Sequence, residues 1–511
     1  MILHEQFITK AREHKNRMAI IDCSAARRIT YSKALLTALI FANRFKSYGD
    51  QYIGVMVPTS SAAYLTIVGI LMAGKTPVIL NYSTGAEQNC QYAKEMIGFE
   101  TIITSKALLE KVNAPILEGM ILLEEFAQSI SPFEKLNALL QSLLPAKWLL
   151  RRLPETKMED TAAILFTSGS ESNPKAVMLS HKNLCSNLKD IIQVYRLNEH
   201  HIVFNALPIF HVFGLTTGFW LPLVLGAPVV TYANPLEFKK IPACIRKEKA
   251  TLIAGTPTFF ADYLRAAKPG DFASVQLMVV GADKTPDWLR EAYRKEHKIE
   301  LLEGYGTTET SPVIATNTPE ANRPGSVGKP LPGVRVKITD VATGEELPQG
   351  KEGKIMVKGD LVMKGYYGDL ENTYLRIRDG WYDTGDMGVL DEDGYLWHRG
   401  RLKRFVKIGG EMISLVRTEI ELSKLLPDGV ECCVVDVPDR RKGARLVAAV
   451  TAEVDREKLT RKLSSHLPAI AIPKTFVVLD ELPKMGSGKI DFRSVTIKVR
   501  QMIEKGADKP L

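Results

Sequence analysis

Along residues 1–330, short apolar runs rich in β-branched side chains alternate with stretches whose hydrophobic positions recur at helical spacing. The runs "YIGVMVP", "TPVIL", "TIITS", "TAAILF", "APVVTY", "ATLIAG" and "VQLMVVG" predict strands. Apolar strands that alternate with helices imply βαβ units, whose sheets are covered on both faces. From about Val327 the texture changes to short strands with dense turns, as in "GKPLPGVRVKITD", "GKIMVKG", "GWYDTGD" and "DEDGYLWHRG". After Arg401 the strand–helix alternation resumes on a smaller scale. The expected fold class is α/β: an α/β core over residues 1–326, a β-rich subdomain of the same large N-terminal domain over 327–400, and a small α+β C-terminal domain over 401–511.

Two uncharged stretches, Tyr52–Gly74 and Val212–Leu236, are long enough to raise the question of a membrane span. The second carries Gly214, Gly218, Gly226, Pro222, Pro228 and Pro235, which cut it into short pieces. Buried helices and strands of a large α/β domain account for both better than a span does. Residues 133–152, "FEKLNALLQSLLPAKWLLRR", set Leu136, Leu139, Leu140, Leu143 and Leu144 on one helical face, followed by Trp148 and a basic end. Two readings fit: a helix packed on the body, or a surface element against lipid or a hydrophobic partner.

At 45% hydrophobic and 24% charged residues, the composition excludes a disordered chain. Six cysteines without CxxC or Cys/His ligand spacing read as thiols in a reducing compartment, neither disulfides nor zinc ligands. The opening "MILHEQFITKAREHKNR" is charged early and lacks a signal-peptide core, so the expected location is cytoplasmic, with contact to the inner membrane through 133–152 under the second reading. The net charge is +9, and residues 401–511 hold 22 Lys+Arg against 15 Asp+Glu. That basic excess suits an acidic partner or a nucleotide. Nucleic acid is not expected, because the tail lacks aromatic interleaving and any reading motif.

The chemistry begins at "ILFTSGSESNPKAVMLSH", residues 164–181. An apolar run opens into a small hydroxylated loop that ends in Pro-Lys, before a helix starting near Ser180. Hydroxyls of Thr167, Ser168 and Ser170, amides around Gly169, and Lys175 could fold over a polyphosphate; alone, such a loop is equally a turn. It is not the GxxxxGK[ST] pattern, since the second Gly and the hydroxyl after the lysine are missing. Further on come "EGYGTTETSP" (303–312), "GWYDTGD" (380–386), "GRLKRFVKIGGEMI" (400–413) and "LPKMGSGKIDFR" (482–493). Each has a bland reading as a turn, hairpin or linker.

Taken together, in this order and at these spacings, they resemble the adenylate-forming superfamily of acyl-CoA synthetases, peptide-synthetase adenylation domains and luciferases. The resemblance covers nearly the whole chain. It implies that residues 167–175 are a phosphate loop, and that "YGTTE", with Gly304, Tyr305, Gly306, Thr307, Thr308 and Glu309, binds ATP with Glu309 on Mg²⁺. By the same resemblance Gly281, Ala282 and Asp283 flank adenine, Asp386 and Arg401 hold ribose, and Lys403 is the hinge about which a mobile C-terminal domain turns. Lys407, Gly409 and Gly410 would line a thiol channel, His211 of "PIFHVFG" would lie between acyl pocket and channel, and Lys489 would join the carboxylate to the α-phosphate.

These residue types suit the implied reaction. A carboxylate attacking a phosphorus of ATP brings two anions together, so the approach must be neutralised and positioned. A lysine about 4 Å from an anion at an effective dielectric of about 20 supplies ~4 kcal/mol, roughly a thousandfold in rate. The implied cofactors are therefore ATP and Mg²⁺, and the implied substrate is a fatty acid, since Val212–Leu225 offers apolar bulk and no partner for an amino group.

The loop departs from the TSGTTGxPKG of most relatives at Glu171, Ser172 and Ala176. "TSGSE", "FNALPIFHVFGLTTGFWLPL" and "KIGGEMISL" look more like one branch, the acyl–acyl-carrier-protein synthetases, including the synthetase half of the bifunctional enzyme that reacylates lysophosphatidylethanolamine. No HxxxxD acyltransferase motif accompanies them. Acyl carrier protein is thus the favoured acceptor, met by Arg401, Lys403, Arg404, Lys407, Arg440, Arg441, Lys442 and Arg445, and coenzyme A is the alternative. A different class, a binding protein that kept the fold without the reaction, is disfavoured by the intact Glu309, Asp386 and Lys489.

Overall fold

Every apolar run named above becomes a strand, and burial on both faces explains why none alternates with polar residues. The structure is a computed structural model that describes residues 2–167, 174–408, 411–427, 429–439, 443–484 and 490–503, without the side chains of 403, 407, 411 and 412. These residues divide into two compact units. The first comprises 2–167, 174–335 and 357–382, and the second the described parts of 336–356 and 383–503.

The first unit holds two large sheets. One runs, edge to edge, through Arg27–Thr30, Met18–Asp22, Val229–Thr231, Val203–Asn205, Leu252–Gly255, Leu277–Val280, Leu301–Gly306, Val313–Thr316 and Lys329–Pro330. Its six strands from Met18–Asp22 to Leu301–Gly306 are parallel, and antiparallel strands close both edges. The other sheet runs Met120–Leu122, Ile102–Thr104, Tyr52–Met56, Thr76–Ile79, Thr161–Phe166, Ala176–Ser180 and Gly365–Tyr366, with the last two antiparallel. Helix Ser61–Met72, capped where Ser60 Oγ accepts from Ala63 N, is buried almost all round, as its uniformly apolar sequence requires. Each Leu, Ile or Val it removes from water contributes about 1.5–3 kcal/mol.

The stretch Val212–Leu236 breaks where its glycines and prolines stand: a wide helical turn Gly214–Trp220, a short helix Leu221–Leu225 ending at Gly226, and strand Val229–Thr231. Among the described residues no helix is long and apolar enough to cross a membrane. Their six cysteines are all free.

In the second unit, strands Cys432–Asp439, Gly443–Val450 and Thr475–Val478 form a sheet covered on both faces. Alternate residues point opposite ways: Val434, Ala448 and Phe476 pack with Leu422, Leu459 and Leu463, whereas Cys433, Val435 and Val477 pack with Val495 and Val499.

Candidate active site

The three parallel strands Leu252–Gly255, Leu277–Val280 and Leu301–Gly306 end side by side, and open parallel sheets bind ligands beyond such carboxyl ends. Gly281, Ala282 and Asp283 follow the middle strand directly. Gly281 N donates to Gly255 O at 3.1 Å, and Ala282 takes a left-handed φ of 74° that turns the chain out of the sheet. A Cβ on Gly281 would lie 3.3 Å from Gly304 O and 3.6 Å from the Phe213 ring, so glycine lets the two strand ends and the "PIFHVFG" segment approach one another. This brings the His211 segment to the strand ends, where His211 O accepts from Leu215 N at 3.0 Å and its ring packs on Phe210.

Strand Leu301–Gly306 is held from below by a buried ion pair: Arg290 Nη1 donates to Glu303 Oε2 at 3.0 Å, and Gly325 N donates to the same oxygen at 3.1 Å. Beyond Tyr305 and Gly306 the chain turns sharply at Thr307, with Thr307 N donating to Thr310 Oγ1 at 3.0 Å and Thr310 N to Thr307 O at 3.1 Å. A Cβ on Gly306 would fall 1.8 Å from Pro312 O, so the turn admits only glycine there. Thr308 and Glu309 form the tip, fixed where Met363 N donates to Glu309 O at 2.8 Å.

The loop lysine is placed by a hairpin. Strands Thr161–Phe166 and Ala176–Ser180 pair antiparallel, Lys175 N donates to Thr167 Oγ1 at 3.0 Å, and Thr167 N donates to Lys175 O at 3.0 Å. The loop therefore returns into a strand, and the helix His181–Val194, capped by Ser180, starts only after it. Ser168, Gly169 and Ser170 lie outside the described residues.

Strand Gly365–Tyr366 joins these pieces. It pairs with Ala176–Ser180, so that the Tyr366 hydroxyl donates to Glu309 Oε1 at 2.9 Å while Lys175 Nζ sits 4.8 Å over the Tyr366 ring. Lys175 Nζ also donates to Asn372 Oδ1 at 2.6 Å, and Asn372 is itself held by Asp369, the cap of helix Leu370–Arg376. Burial, reinforced by Glu309, pushes the Tyr366 hydroxyl well above its ordinary range, which keeps it a donor. Buried Tyr382 is raised for the same reasons and hydrogen-bonds Thr307. Tyr366 and Asn372 lie outside every motif, and Tyr382 stands inside "GWYDTGD" without a role assigned to it there.

Asp386 and Arg401 lie in the second unit, opposite one another in an antiparallel pair, with Arg401 Nε 3.6 Å from Asp386 Oδ1 and His398 Nε2 3.7 Å from Oδ2. Gly409, Gly410 and Lys489 lie outside the described residues, as do the side chains of Lys403 and Lys407 and all of Arg440, Arg441 and Lys442. One expectation is corrected: Arg404 is no surface cation for a partner. Its side chain is 11% exposed, pairs with Glu419 and stacks 4.0 Å over the Phe492 ring. Burial raises the Glu419 carboxyl against the pull of Arg404, and Glu419 also accepts from Val434 N at 2.7 Å.

A carboxylate, a lysine and a glycine-lined approach beside a sheet's carboxyl ends fit a nucleotide. For magnesium the donor present is the Glu309 carboxylate, oriented by the Tyr366 hydroxyl, and Mg²⁺ is commonly held by one or two carboxylates plus phosphates.

Known proteins match this arrangement. The AMP-binding enzyme family matches residues 7–367, and the AMP-binding enzyme C-terminal domain matches residues 424–489. A long-chain-fatty-acid–CoA ligase of Bacillus subtilis (strain 168) is 29% identical over 93% of each chain. A second one, from Salmonella typhimurium, is 31% identical over 69% of this chain and 64% of its own. Among solved structures, ATP-bound MatB from Rhodopseudomonas palustris aligns at a TM-score of 0.83 and 26% identity over 98% of this chain and 100% of that one. The o-succinylbenzoate CoA synthetase of Bacillus subtilis, with its acyl-adenylate, aligns at 0.83 over 96% of this chain and 97% of that one; at 23% identity that likeness speaks for the fold alone.

Proposed function

The chain belongs to the AMP-binding enzyme family, and from that membership we propose that it is an ATP-dependent fatty acid–coenzyme A ligase. The observation that carries the reading is the likeness, along 93% of both chains, to a protein named for that reaction. The reaction proceeds in two transfers. A fatty-acid carboxylate oxygen bonds to the α-phosphorus of ATP and pyrophosphate leaves; the thiol sulfur then bonds to the acyl carbon, AMP leaves, and the thiol proton passes to solvent.

Each residue's part follows from what it touches. Lys175 offers its ammonium to the phosphates from the mouth of the hairpin, steered by Asn372 and the Tyr366 ring. Glu309, oriented by the Tyr366 hydroxyl, would hold Mg²⁺. When bound, that ion neutralises phosphate charge. Gly281 to Asp283 and Gly304 to Thr307 form the adenine side, Thr308 meets the α-phosphate, Asp386 and Arg401 take ribose, and Lys489 neutralises the approach of carboxylate to α-phosphate, the roles the family pattern gives them. His211 and the apolar turn behind it border the acyl chain.

Coenzyme A replaces acyl carrier protein as the favoured acceptor. The two fatty-acid ligases matched above name coenzyme A as the acceptor, and a basic C-terminal region serves its phosphates as well as it serves an acidic carrier. The test is fatty-acid-dependent ATP–pyrophosphate exchange, then thioester formation with coenzyme A and carrier protein side by side over a series of chain lengths. Exchange followed by acyl-CoA is the expected result. Exchange with transfer to carrier protein alone overturns the acceptor, and no exchange with any acid overturns the activity.

A further inference from the structure

The helix Pro132–Leu143 is turned inside out. Its inner side is polar: Glu134 pairs with Arg44 at 2.5 Å, Asn43 Nδ2 donates to Gln141 Oε1 at 3.1 Å, and Arg12 donates to the carbonyls of Ser142 and Leu143. Ala138 is the one fully buried side chain of this helix. Bonds from Arg44 and Ser131 hold the Glu134 carboxyl down at about 2, so its charge is committed inward. The outer face carries the apolar residues, with Phe133 77%, Leu136 53%, Leu140 58% and Leu143 63% exposed, one stripe at spacings of three and four. After Pro145 the short helix Ala146–Leu150 buries Leu149 and leaves Trp148 61% exposed.

Exposed cations rim the stripe: Lys135, Lys147, Arg151 and Arg152. The one acid within residues 132–152 is Glu134. An apolar face with a tryptophan, whose exposed charges within residues 132–152 are all basic, is the chemistry of a helix lying in the headgroup region of an anionic bilayer. A second copy of this chain fits badly, because a twofold pairing of the patch would set one cationic rim against another. The geometry points to this surface, residues 132–152, as a docking site for an anionic lipid surface, with the helix in the membrane plane. The inference is independent of the acceptor and of the reaction.

The experiment is co-sedimentation of the full chain with vesicles of phosphatidylcholine, or of phosphatidylcholine and phosphatidylglycerol in equal parts, alongside analytical ultracentrifugation without lipid. The wild type should sediment with the anionic vesicles at least about tenfold more tightly than with the neutral ones. Leu136→Ser/Leu140→Ser/Leu143→Ser should lose at least about tenfold of that binding, with an unchanged melting midpoint because the three side chains already face water. Anionic vesicles should shift tryptophan emission to the blue in the wild type but not in Trp148→Phe. Absence of vesicle binding, binding indifferent to the triple substitution, or a wild-type dimer that the triple substitution splits would each overturn the proposal, the last by naming a second copy as the occupant.

Discussion

Tyr366→Phe removes one oxygen and leaves the ring on which the Lys175 ammonium rests at 4.8 Å, so its effect isolates the 2.9 Å bond to Glu309. Hydrogen bonds to charged groups contribute about 1.5–3 kcal/mol. The hydroxyl stays protonated across the working range, since burial and Glu309 both raise it, and the effect should therefore not vary with pH. If most of that energy serves to aim the carboxylate, kcat/KM for fatty-acid-dependent ATP–pyrophosphate exchange falls by roughly ten- to a hundredfold, at about 1.4 kcal/mol per factor of ten. Positioning is separated from mere packing by a cycle. In a Glu309→Gln background the same substitution should cost less than about threefold, a coupling of at least ~0.7 kcal/mol. A Tyr366→Phe enzyme within twofold of wild type, or an equal loss in both backgrounds, refutes the placement of Glu309 by Tyr366.

Arg290→Met should lower the melting midpoint and exchange activity together, because it strands the buried Glu303 carboxylate at a cost of about 3–5 kcal/mol; adding Glu303→Gln should recover part of both, and no recovery refutes the ion-pair account. His4 and His181, with ring centroids 5.5 Å apart, are lowered by burial to about 3 and about 4. Both are neutral when folded, so stability is full above pH 6.5 and falls as acid protonates the unfolded chain, by about 2 kcal/mol per imidazole at pH 5. Unfolding midpoints measured between pH 7 and 5 should flatten in His4→Leu/His181→Gln, and an unaltered slope excludes these rings as its source.

Motif reading found Lys175 and Glu309, the two charged ends of the described cluster, and missed what joins them. The joint is non-local: Tyr366 reaches Glu309 and Lys175 because Gly365 pairs with Met178, nearly two hundred residues earlier. Nothing in "MKGYYGDLENT" marks that pairing, since a two-residue edge strand carries no periodicity and Asp369 with Asn372 reads as an ordinary cap. The strands were legible because burial on both faces leaves continuous apolar runs, and the pieces of Val212–Leu236 were legible because glycine and proline mark their ends. Arg404 misled for a related reason. In a basic stretch one arginine resembles its neighbours, and the partner that buries it, Glu419, stands fifteen residues on in another element.

Helix 132–143 shows where periodicity stops being informative. A stripe at spacings of three and four describes an inward and an outward apolar face equally well, so "FEKLNALLQSL" supports both readings. Orientation is decided by the partners of the opposite face, and those are remote: Arg12, Asn43 and Arg44 come from helices Leu3–Glu13 and Tyr31–Phe45. Three hydrogen-bonding residues from two helices fix the polar side against the body and leave the leucines outward. A helix that merely packed would bury the stripe and expose Glu134, with no need of Arg44. The inverted arrangement keeps a large apolar area in water, a standing cost that a partner surface would relieve.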